Sequence, residues 1–166
     1  MRNHEVHEGS SVDSTLGFAD NRGGGVTRLV VDRESGVLRS SNFVLTGTSR
    51  NCAGGPSPYG WLSCEEVGEP GHGYVFLCDA SASTLQAPHN LPALGRFPHE
   101  AAAFDEATGI TYLTEDTSDS AIYRHLPDHH TKPFVGGELQ ALKVSSQDRF
   151  RLSEGPKVGD AFDVEW

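Results

Sequence analysis

Short runs of apolar residues, or of alternating apolar and polar residues, recur along the 166-residue chain, and turn residues separate them. No window carries apolar residues at the i, i+3, i+4, i+7 spacing over the length of a helix. The pattern therefore predicts an all-β protein with no helix longer than about three turns. The predicted strands are residues 26–32, 37–45, 59–66, 74–78, 101–105, 110–115, 121–125 and 139–144.

Two pairs of these strands are predicted to form hairpins. The turn at residues 33–36 ends in a glycine and joins the first pair, and the turn at residues 106–109 does the same further along the chain. A short polar turn that ends in glycine is a typical hairpin signal. The content of 19 glycines and 9 prolines also favours turns over long helices.

The chain contains a weak internal repeat. Residues 62–65 resemble residues 113–116 in character, and the two segments lie 51 positions apart. A polar loop and a short strand with an aromatic residue follow each segment. A period near 50 residues with about four short strands per unit is typical of β-propeller blades, and residues 99–144 can be divided into one such blade. The pattern alone also permits a β-sandwich.

The length of the chain is that of about three blades, whereas closed propellers usually have about 4 to 8. We therefore expect residues 1–166 to be one partial propeller domain. An open arc of blades leaves unpaired strand edges, which folded proteins normally avoid. We expect such a chain to depend for its stability on metal, on self-association through those edges, or on both.

Charge and composition exclude some classes of function. The net charge of −10 and the pI near 5.1 argue against nucleic-acid binding, which requires many lysines and arginines. No run approaches the roughly 20 apolar residues of a membrane helix, and the N-terminus has no apolar signal-peptide region. The three cysteines, an odd number, do not indicate a disulfide framework. The acidity fits a metal site and fits plain solubility equally well.

One predicted strand, residues 59–66, ends in a combination of side chains that could bind a metal. Cys64 stands beside two carboxylates, Glu65 and Glu66. A thiolate with carboxylates suits a transition metal such as iron or zinc, with calcium on neighbouring oxygens. The alternative is a buried structural cysteine followed by a solvated acidic turn. The metal hypothesis requires that Cys64 is not in a disulfide.

Three further segments carry groups that could serve the same site. Glu115 and Asp116 occupy the repeat positions equivalent to Cys64 and Glu65, and His99 with Glu100 begins another strand, either as a ligand and its neighbour or as a capped turn. Strand ends at matching positions of successive blades converge toward the propeller axis, where clustered carboxylates repel one another unless cations lie between them. In the same segment as His99, Arg96 offers a planar set of donors that suits phosphate. The third segment, residues 3–5, places an amide and a carboxylate in one short run.

Six segments, in the same order along the chain, resemble the PhoX-type alkaline phosphatases: residues 3–5, 24–29, 48–55, 61–66, 96–101 and 112–116. The most specific part is the Cys-Glu-Glu segment at 64–66 together with the preceding Asn-Cys-Ala-Gly-Gly at 51–55. The resemblance implies a β-propeller enzyme that hydrolyses phosphate monoesters with iron and calcium at its axis. It also implies export by the twin-arginine route, and hence a periplasmic or secreted location.

The resemblance also implies roles for individual residues. Cys64 would bind iron as a thiolate, and the carboxylates would bind iron or calcium, while an amide, a guanidinium and an imidazole would orient the phosphate or support the ligands. The metal ligands implied are Cys64, Glu65, Glu100, Glu115, Asp116 and Glu5; the catalytic residues are Arg96, His99 and Asn3. Chains of this family are several times longer, so we expect little or no phosphatase activity from residues 1–166 alone.

A second function belongs to a different class: a non-catalytic calcium-binding β module that self-associates. Cys64 favours the phosphatase, because calcium prefers oxygen ligands to a thiolate. Metal analysis distinguishes the two, since iron with calcium is expected for the phosphatase and calcium alone for the module.

Overall fold

The structure is a computed structural model that describes residues 1–145, 147, 149–151 and 156–166. It confirms the all-β prediction, because these residues form strands and turns with one short 3₁₀ helix, Pro92–Leu94, and no α-helix among them. In the described part of the chain, no helix has the length and apolar character needed to cross a membrane. The strands are β1 (Arg2–His4), β2 (Gly24–Val31), β3 (Leu38–Thr48), β4 (Asn51–Ser57), β5 (Gly60–Glu65), β6 (Val75–Cys78), β7 (His99–Phe104), β8 (Thr111–Glu115), β9 (Ile122–Leu126), β10 (Glu138–Ala141), β11 (Lys143–Val144) and β12 (Val164–Glu165).

The strands β1 to β10 form three antiparallel meanders that follow one another along the chain. The first is β1-β2-β3, the second β4-β5-β6 and the third β7-β8-β9-β10. The second and third meanders join through β4 and β7 into a seven-stranded sheet, with the order β10-β9-β8-β7-β4-β5-β6. The strands β11 and β12 pair separately. The first strands of the three meanders are therefore β1, β4 and β7, and β4 and β7 are neighbours in the seven-stranded sheet.

Both predicted hairpins are confirmed, as β2–β3 and β7–β8. The predicted strand at 139–144 divides in two, because β10 ends at Ala141 and β11 pairs with β12 instead. The sequence pattern does not predict β4, whose Gly54, Gly55 and Pro56 are typical of a loop. These residues occupy a strand here because a bulge between Cys52 and Gly55 accommodates them.

The junction between the second and third meanders depends on two glycines of β4. Gly54 pairs with Ala101 of β7 in a parallel bridge and has a φ of 61°. An ideal Cβ on Gly54 would lie 1.8 Å from the carbonyl oxygen of Leu62 in β5, and one on Gly55 would lie 1.9 Å from that of Ala102 in β7. Only glycine allows β4 to approach both neighbouring strands so closely.

Two hydrophobic clusters lie on the two faces of β6. Val75 packs in the cluster with Leu62 and Leu113, whereas the next residue, Phe76, packs in the cluster with Val26. This division follows from the alternation of side chains along a strand. Leu62 and Phe76 have no exposed surface, and burying one such side chain stabilises the fold by about 1.5–3 kcal/mol. The clusters thereby hold the three meanders together.

We expect Gly54→Ala to destabilise the protein more than Gly36→Ala. Both glycines have positive φ, 61° and 68°, which costs an alanine about 1–2 kcal/mol. An ideal Cβ on Gly36 meets nothing within 4 Å, so Gly36→Ala should lower the free energy of unfolding, measured in urea, by only that amount. Gly54→Ala should lose about 1–3 kcal/mol more, or fail to fold, because of the clash with Leu62. Equal losses in the two variants would contradict the close packing of β4 against β5.

Candidate metal centre

Five side chains with metal-binding atoms converge beside the junction of the meanders. Glu5, Cys52 and Glu66 form one group, and Glu66, Glu100 and Asp116 form a second. Within each group the ligand atoms lie within 4.8 Å of one another, and Glu66 belongs to both groups. The Cys52 Sγ also lies 3.4 Å from each carboxylate oxygen of Glu100, which connects the groups a second time. Glu5 and Asp116 are exposed and the other three residues are half-buried, so the cluster opens to solvent.

The strand order explains why these five residues meet. Cys52 and Glu100 lie near the starts of β4 and β7, while Glu66 and Asp116 directly follow the ends of β5 and β8. In an antiparallel pair, the start of one strand lies beside the end of the next. Glu5 directly follows β1, so that all three meanders contribute to the same cluster.

Backbone hydrogen bonds fix the segments that carry these ligands. The amide of Arg50 donates to the Val6 carbonyl at 2.9 Å, and the amide of Glu66 donates to the Arg50 carbonyl at 3.0 Å. The amide of Asp116 donates to the carbonyl of Pro98 at 3.1 Å. Each of these bonds joins two ligand-bearing segments, so the cluster rests on a connected backbone frame.

The electrostatic environment of the cluster disfavours negative charge. Burial raises the pKa of Glu66, and a hydrogen bond with Asp116 and the charges of Glu100 and Asp116 raise it further. Burial raises the pKa of the Cys52 thiol to about 12, with a contribution from Glu100. A cation between these groups would reverse the effect, because it favours their ionised forms.

Asn3, predicted as a catalytic residue, uses its whole side-chain amide to support Cys52. Its Nδ2 donates to the carbonyls of Cys52 and, at 3.1 Å, Ala53. Its Oδ1 accepts from the indole Nε1 of Trp61 at 3.0 Å and from the Ser63 hydroxyl at 3.1 Å. These bonds tie β1 to β4 and β5, so the arrangement is that of a residue that positions a ligand. A role for Asn3 in orienting phosphate stays a prediction.

Glu65, predicted as a metal ligand, is fully buried and lies outside both groups. Its carboxylate accepts bonds from the backbone amides of Ser49 and Gly73 and from His72 Nδ1, each at 2.8 Å, and from the Tyr74 amide at 3.2 Å. Four donors satisfy this buried carboxylate without a metal. Its role as a metal ligand stays a prediction.

Cys64, predicted as the iron thiolate, has no exposed surface and belongs to the hydrophobic cluster of Leu62 and Val75. It lies directly opposite Cys52 in the β4–β5 pairing but outside both groups. A metal role for Cys64 stays a prediction. All three cysteines are free, which confirms that Cys64 is not in a disulfide.

The last predicted carboxylate ligand, Glu115, is next to Asp116 but has other partners. Its Oε2 accepts a hydrogen bond from the hydroxyl of Tyr123 at 2.9 Å and one from the amide of Ala121 at 3.4 Å. The neighbouring Asp116 reaches the cluster and Glu115 does not, since it belongs to neither group. Metal binding by Glu115 stays a prediction.

Arg96 and His99, predicted to contact phosphate, are engaged elsewhere in the fold. The Arg96 Nη1 donates to the carbonyls of Glu69 at 2.9 Å and His72 at 3.3 Å. His99 is fully buried, and its ring centroid lies 3.7 Å from that of Phe97. Burial lowers the pKa of His99 to about 4, so the imidazole is neutral near pH 7. Phosphate contact by either residue stays a prediction.

The ligand set implied by the resemblance did not include Cys52 or Glu66, which are both in the cluster, although Glu66 is among the carboxylates noted beside Cys64. The signal for Glu66 was its position at the end of a strand, where side chains no longer have to alternate between the two faces of the sheet. The signal for Cys52 was its position just before Gly54 and Gly55, because paired glycines indicate close approach of backbones. The alternation of strand residues is lost at such a bulge.

The donor set of the cluster fits a mixed metal site. Four carboxylates are the ligands that calcium prefers, and the thiol of Cys52 is a ligand that iron binds as a thiolate. Burial and the neighbouring carboxylates raise the pKa of Glu66, so its ionised form is disfavoured unless a cation lies nearby. Glu5, Cys52, Glu66, Glu100 and Asp116 are therefore the residues that could hold metal ions.

Comparison with known protein families gives one result. The model of a family described as alkaline phosphatase PhoX matches residues 33–166. This span includes Cys52, Glu66, Glu100 and Asp116, while Glu5 lies before it. No curated protein and no solved structure matches the chain.

We expect Glu66→Gln to stabilise the metal-free protein at neutral pH. Because the folded-state pKa of Glu66 is raised, its favourable contribution is complete below the ordinary value of 4.5 and is lost as the pH rises through the raised value. Glutamine stays uncharged, so the variant should be more stable than wild type near pH 7, and this advantage should disappear below pH 4.5.

The measurement is urea unfolding in the presence of a chelator across this pH range. Glu34→Gln in the exposed β2–β3 turn is the matched control, since it removes the same charge away from the cluster. If Glu66→Gln were no more stable than wild type at neutral pH, charge crowding at Glu66 would not be a cost to the fold.

Proposed function

Because the chain belongs to the PhoX alkaline phosphatase family, we propose that its cluster holds iron and calcium and serves the hydrolysis of phosphate monoesters. The observation that carries this proposal is the convergence of one thiol and four carboxylates from three successive meanders. Hydrolysis of phosphate esters needs positive charge on the phosphoryl oxygens, which an acidic protein obtains from bound cations.

A propeller arrangement of the three meanders is part of this proposal. Each meander begins with a strand, β1, β4 or β7, and each of these strands leads to or carries one residue of the cluster: Glu5, Cys52 or Glu100. In a propeller, the blades are arranged around a central channel, where residues of successive blades meet. The parallel bridge between β4 and β7 supports such neighbouring first strands.

We assign Cys52 as the iron thiolate, in place of the Cys64 that the sequence suggested. Cys52 is half-buried among carboxylates, whereas Cys64 is buried among apolar side chains. Glu66 belongs to both groups, so Glu66 with Glu5 and Cys52, and Glu66 with Glu100 and Asp116, are the residues that would hold the metal ions. Asn3 holds the backbone of Cys52 in position.

The residues of the cluster provide binding, orientation and access. Bound cations would polarise the phosphoryl oxygens and supply an activated oxygen nucleophile. Glu66 and Glu100 are half-buried while Glu5 and Asp116 are exposed, so a phosphate ester can approach the cluster from solvent. Arg96 is exposed and uses one nitrogen for backbone carbonyls, which leaves further N–H groups to donate to a phosphate.

Two finer points, on location and on self-association, belong to the same proposal, and a second candidate function stands beside it. Family membership supports a periplasmic or secreted location, in which export by the twin-arginine route precedes function. Self-association through open sheet edges is supported by the exposed strand edge of β10 at the end of the seven-stranded sheet. The second candidate function is a calcium-binding module without catalysis, which the four carboxylates alone would support.

We expect Cys52→Ser and Cys64→Ala to differ when the protein is loaded with iron(III) and calcium. Wild type should show a thiolate-to-iron charge-transfer band, while its hydrolysis of p-nitrophenyl phosphate should be weak or absent, as expected for residues 1–166 alone. Cys52→Ser should lose the band and most iron, because the hydroxyl is a poor substitute for the thiolate. Cys64→Ala should keep the band and lose about 1–3 kcal/mol of stability from its place in the core.

Cys78→Ala is the matched control for Cys64→Ala, since Cys78 is a free, buried cysteine in the other hydrophobic cluster. A band that survives Cys52→Ser and disappears in Cys64→Ala would assign the thiolate to Cys64. Wild type that binds calcium but no iron would favour the calcium-binding module.

A further inference from the structure

Cys52 and Cys64 are direct partners across the β4–β5 pair. The amide of Glu66 donates to the carbonyl of Arg50, so residues 50 and 66 are of the hydrogen-bonded type. This type recurs at every second pair of an antiparallel ladder, so residues 52 and 64 form the next such pair. The Cα atoms of such a pair lie about 5.5 Å apart, which is within the usual span of a disulfide.

The two cysteines pair directly before the bulge that follows Cys52 in β4. Side chains of directly opposed residues project to the same face of a sheet, so the buried sulfur of Cys64 faces the strand that carries Cys52.

The pair differs in access to solvent. Cys52 is half-buried beside the open acidic cluster, while Cys64 has no exposed surface and Cys78 lies in the other hydrophobic cluster. A small oxidant can therefore reach Cys52 before Cys64, which stands next to it. Because burial and Glu100 raise the pKa of Cys52 to about 12, most of this sulfur is the less reactive thiol at neutral pH, and its oxidation should need an excess of peroxide.

We infer that Cys52 and Cys64 form a redox pair in which a peroxide oxidises Cys52 and Cys64 then closes a reversible disulfide with it. In the first step the sulfur of Cys52 attacks the O–O bond of a peroxide ROOH, ROH leaves, and Cys52 becomes a sulfenic acid. In the second step the sulfur of Cys64 attacks the sulfur of Cys52 and the S–S bond forms. The S–O bond of the sulfenic acid breaks, and its OH group takes the thiol proton of Cys64 and leaves as water.

The pair stays reversible for a geometric reason. Opposed residues of this kind have Cβ atoms about 5.5 Å apart, whereas a relaxed disulfide needs about 3.5–4.5 Å. Closing the bond therefore draws β4 and β5 together and stores strain, which makes the disulfide easier to reduce. Disulfide formation itself is independent of the proposed function. Its consequence rests on that function: the disulfide removes the Cys52 sulfur from the metal ligands.

The experiment uses the purified full chain with a chelator, so that neither metal nor activity is needed. Hydrogen peroxide is added in excess, remaining thiols are blocked, and peptides are mapped by mass spectrometry. Wild type and Cys78→Ala should both yield a peptide pair joined through Cys52 and Cys64, lighter by two hydrogens, and dithiothreitol should restore both thiols. In Cys64→Ala the sulfenic acid should persist on Cys52 and be trapped by a dimedone reagent.

If Cys64→Ala does not fold, the peptide map of the oxidised wild-type protein decides the inference by itself. A sulfinic acid on Cys52 beside a free Cys64 would overturn it, and so would three unmodified thiols or a bridge that includes Cys78. A second arm loads the reduced and the oxidised protein with iron(III). A disulfide that forms in a protein unable to bind iron in either state would keep the redox pair and reject the proposed metal site.

Discussion

The close approach of β4 to its two neighbours is the constraint on which the rest of this structure depends. At Gly54 the backbone leaves no room for a Cβ against β5, and at Gly55 it leaves none against β7. This contact joins the second and third meanders into one sheet. It also brings Cys52 at the start of β4 within 3.4 Å of Glu100 at the start of β7. The candidate metal centre exists because two strands meet at glycines.

Two adjacent carboxylates show how the fold separates support from chemistry. Glu65 points inward, where three backbone amides and His72 satisfy it completely. Glu66 points to the acidic cluster, where its neighbours are Asp116, Glu100 and a thiol, and its pKa is raised. A carboxylate surrounded by donors stabilises the fold, whereas one surrounded by acids becomes favourable only with cations. Glu65 is the last residue of β5 and Glu66 lies just beyond it, and this backbone position divides the two roles.

The same register that builds the metal centre also creates the cysteine pair. Cys52 faces the cluster and at the same time stands opposite Cys64, whose sulfur is held in the apolar core. Metal binding and disulfide formation would thus compete for a single sulfur atom. The competition is local, because β4 and β5 are the only strands that need to move.

The sequence by itself determined the fold class and both hairpins, because hydrophobic alternation and turn chemistry are local properties. Three residues of the cluster, Glu5, Glu100 and Asp116, were named as ligands by resemblance to the family's motifs. The motif segments also indicated the family to which the chain belongs. Which cysteine meets the carboxylates was decided only by the tertiary structure. A bulge in a glycine-rich strand shifts the register, and that shift turns Cys52 toward Glu100 across a chain separation of 48 residues.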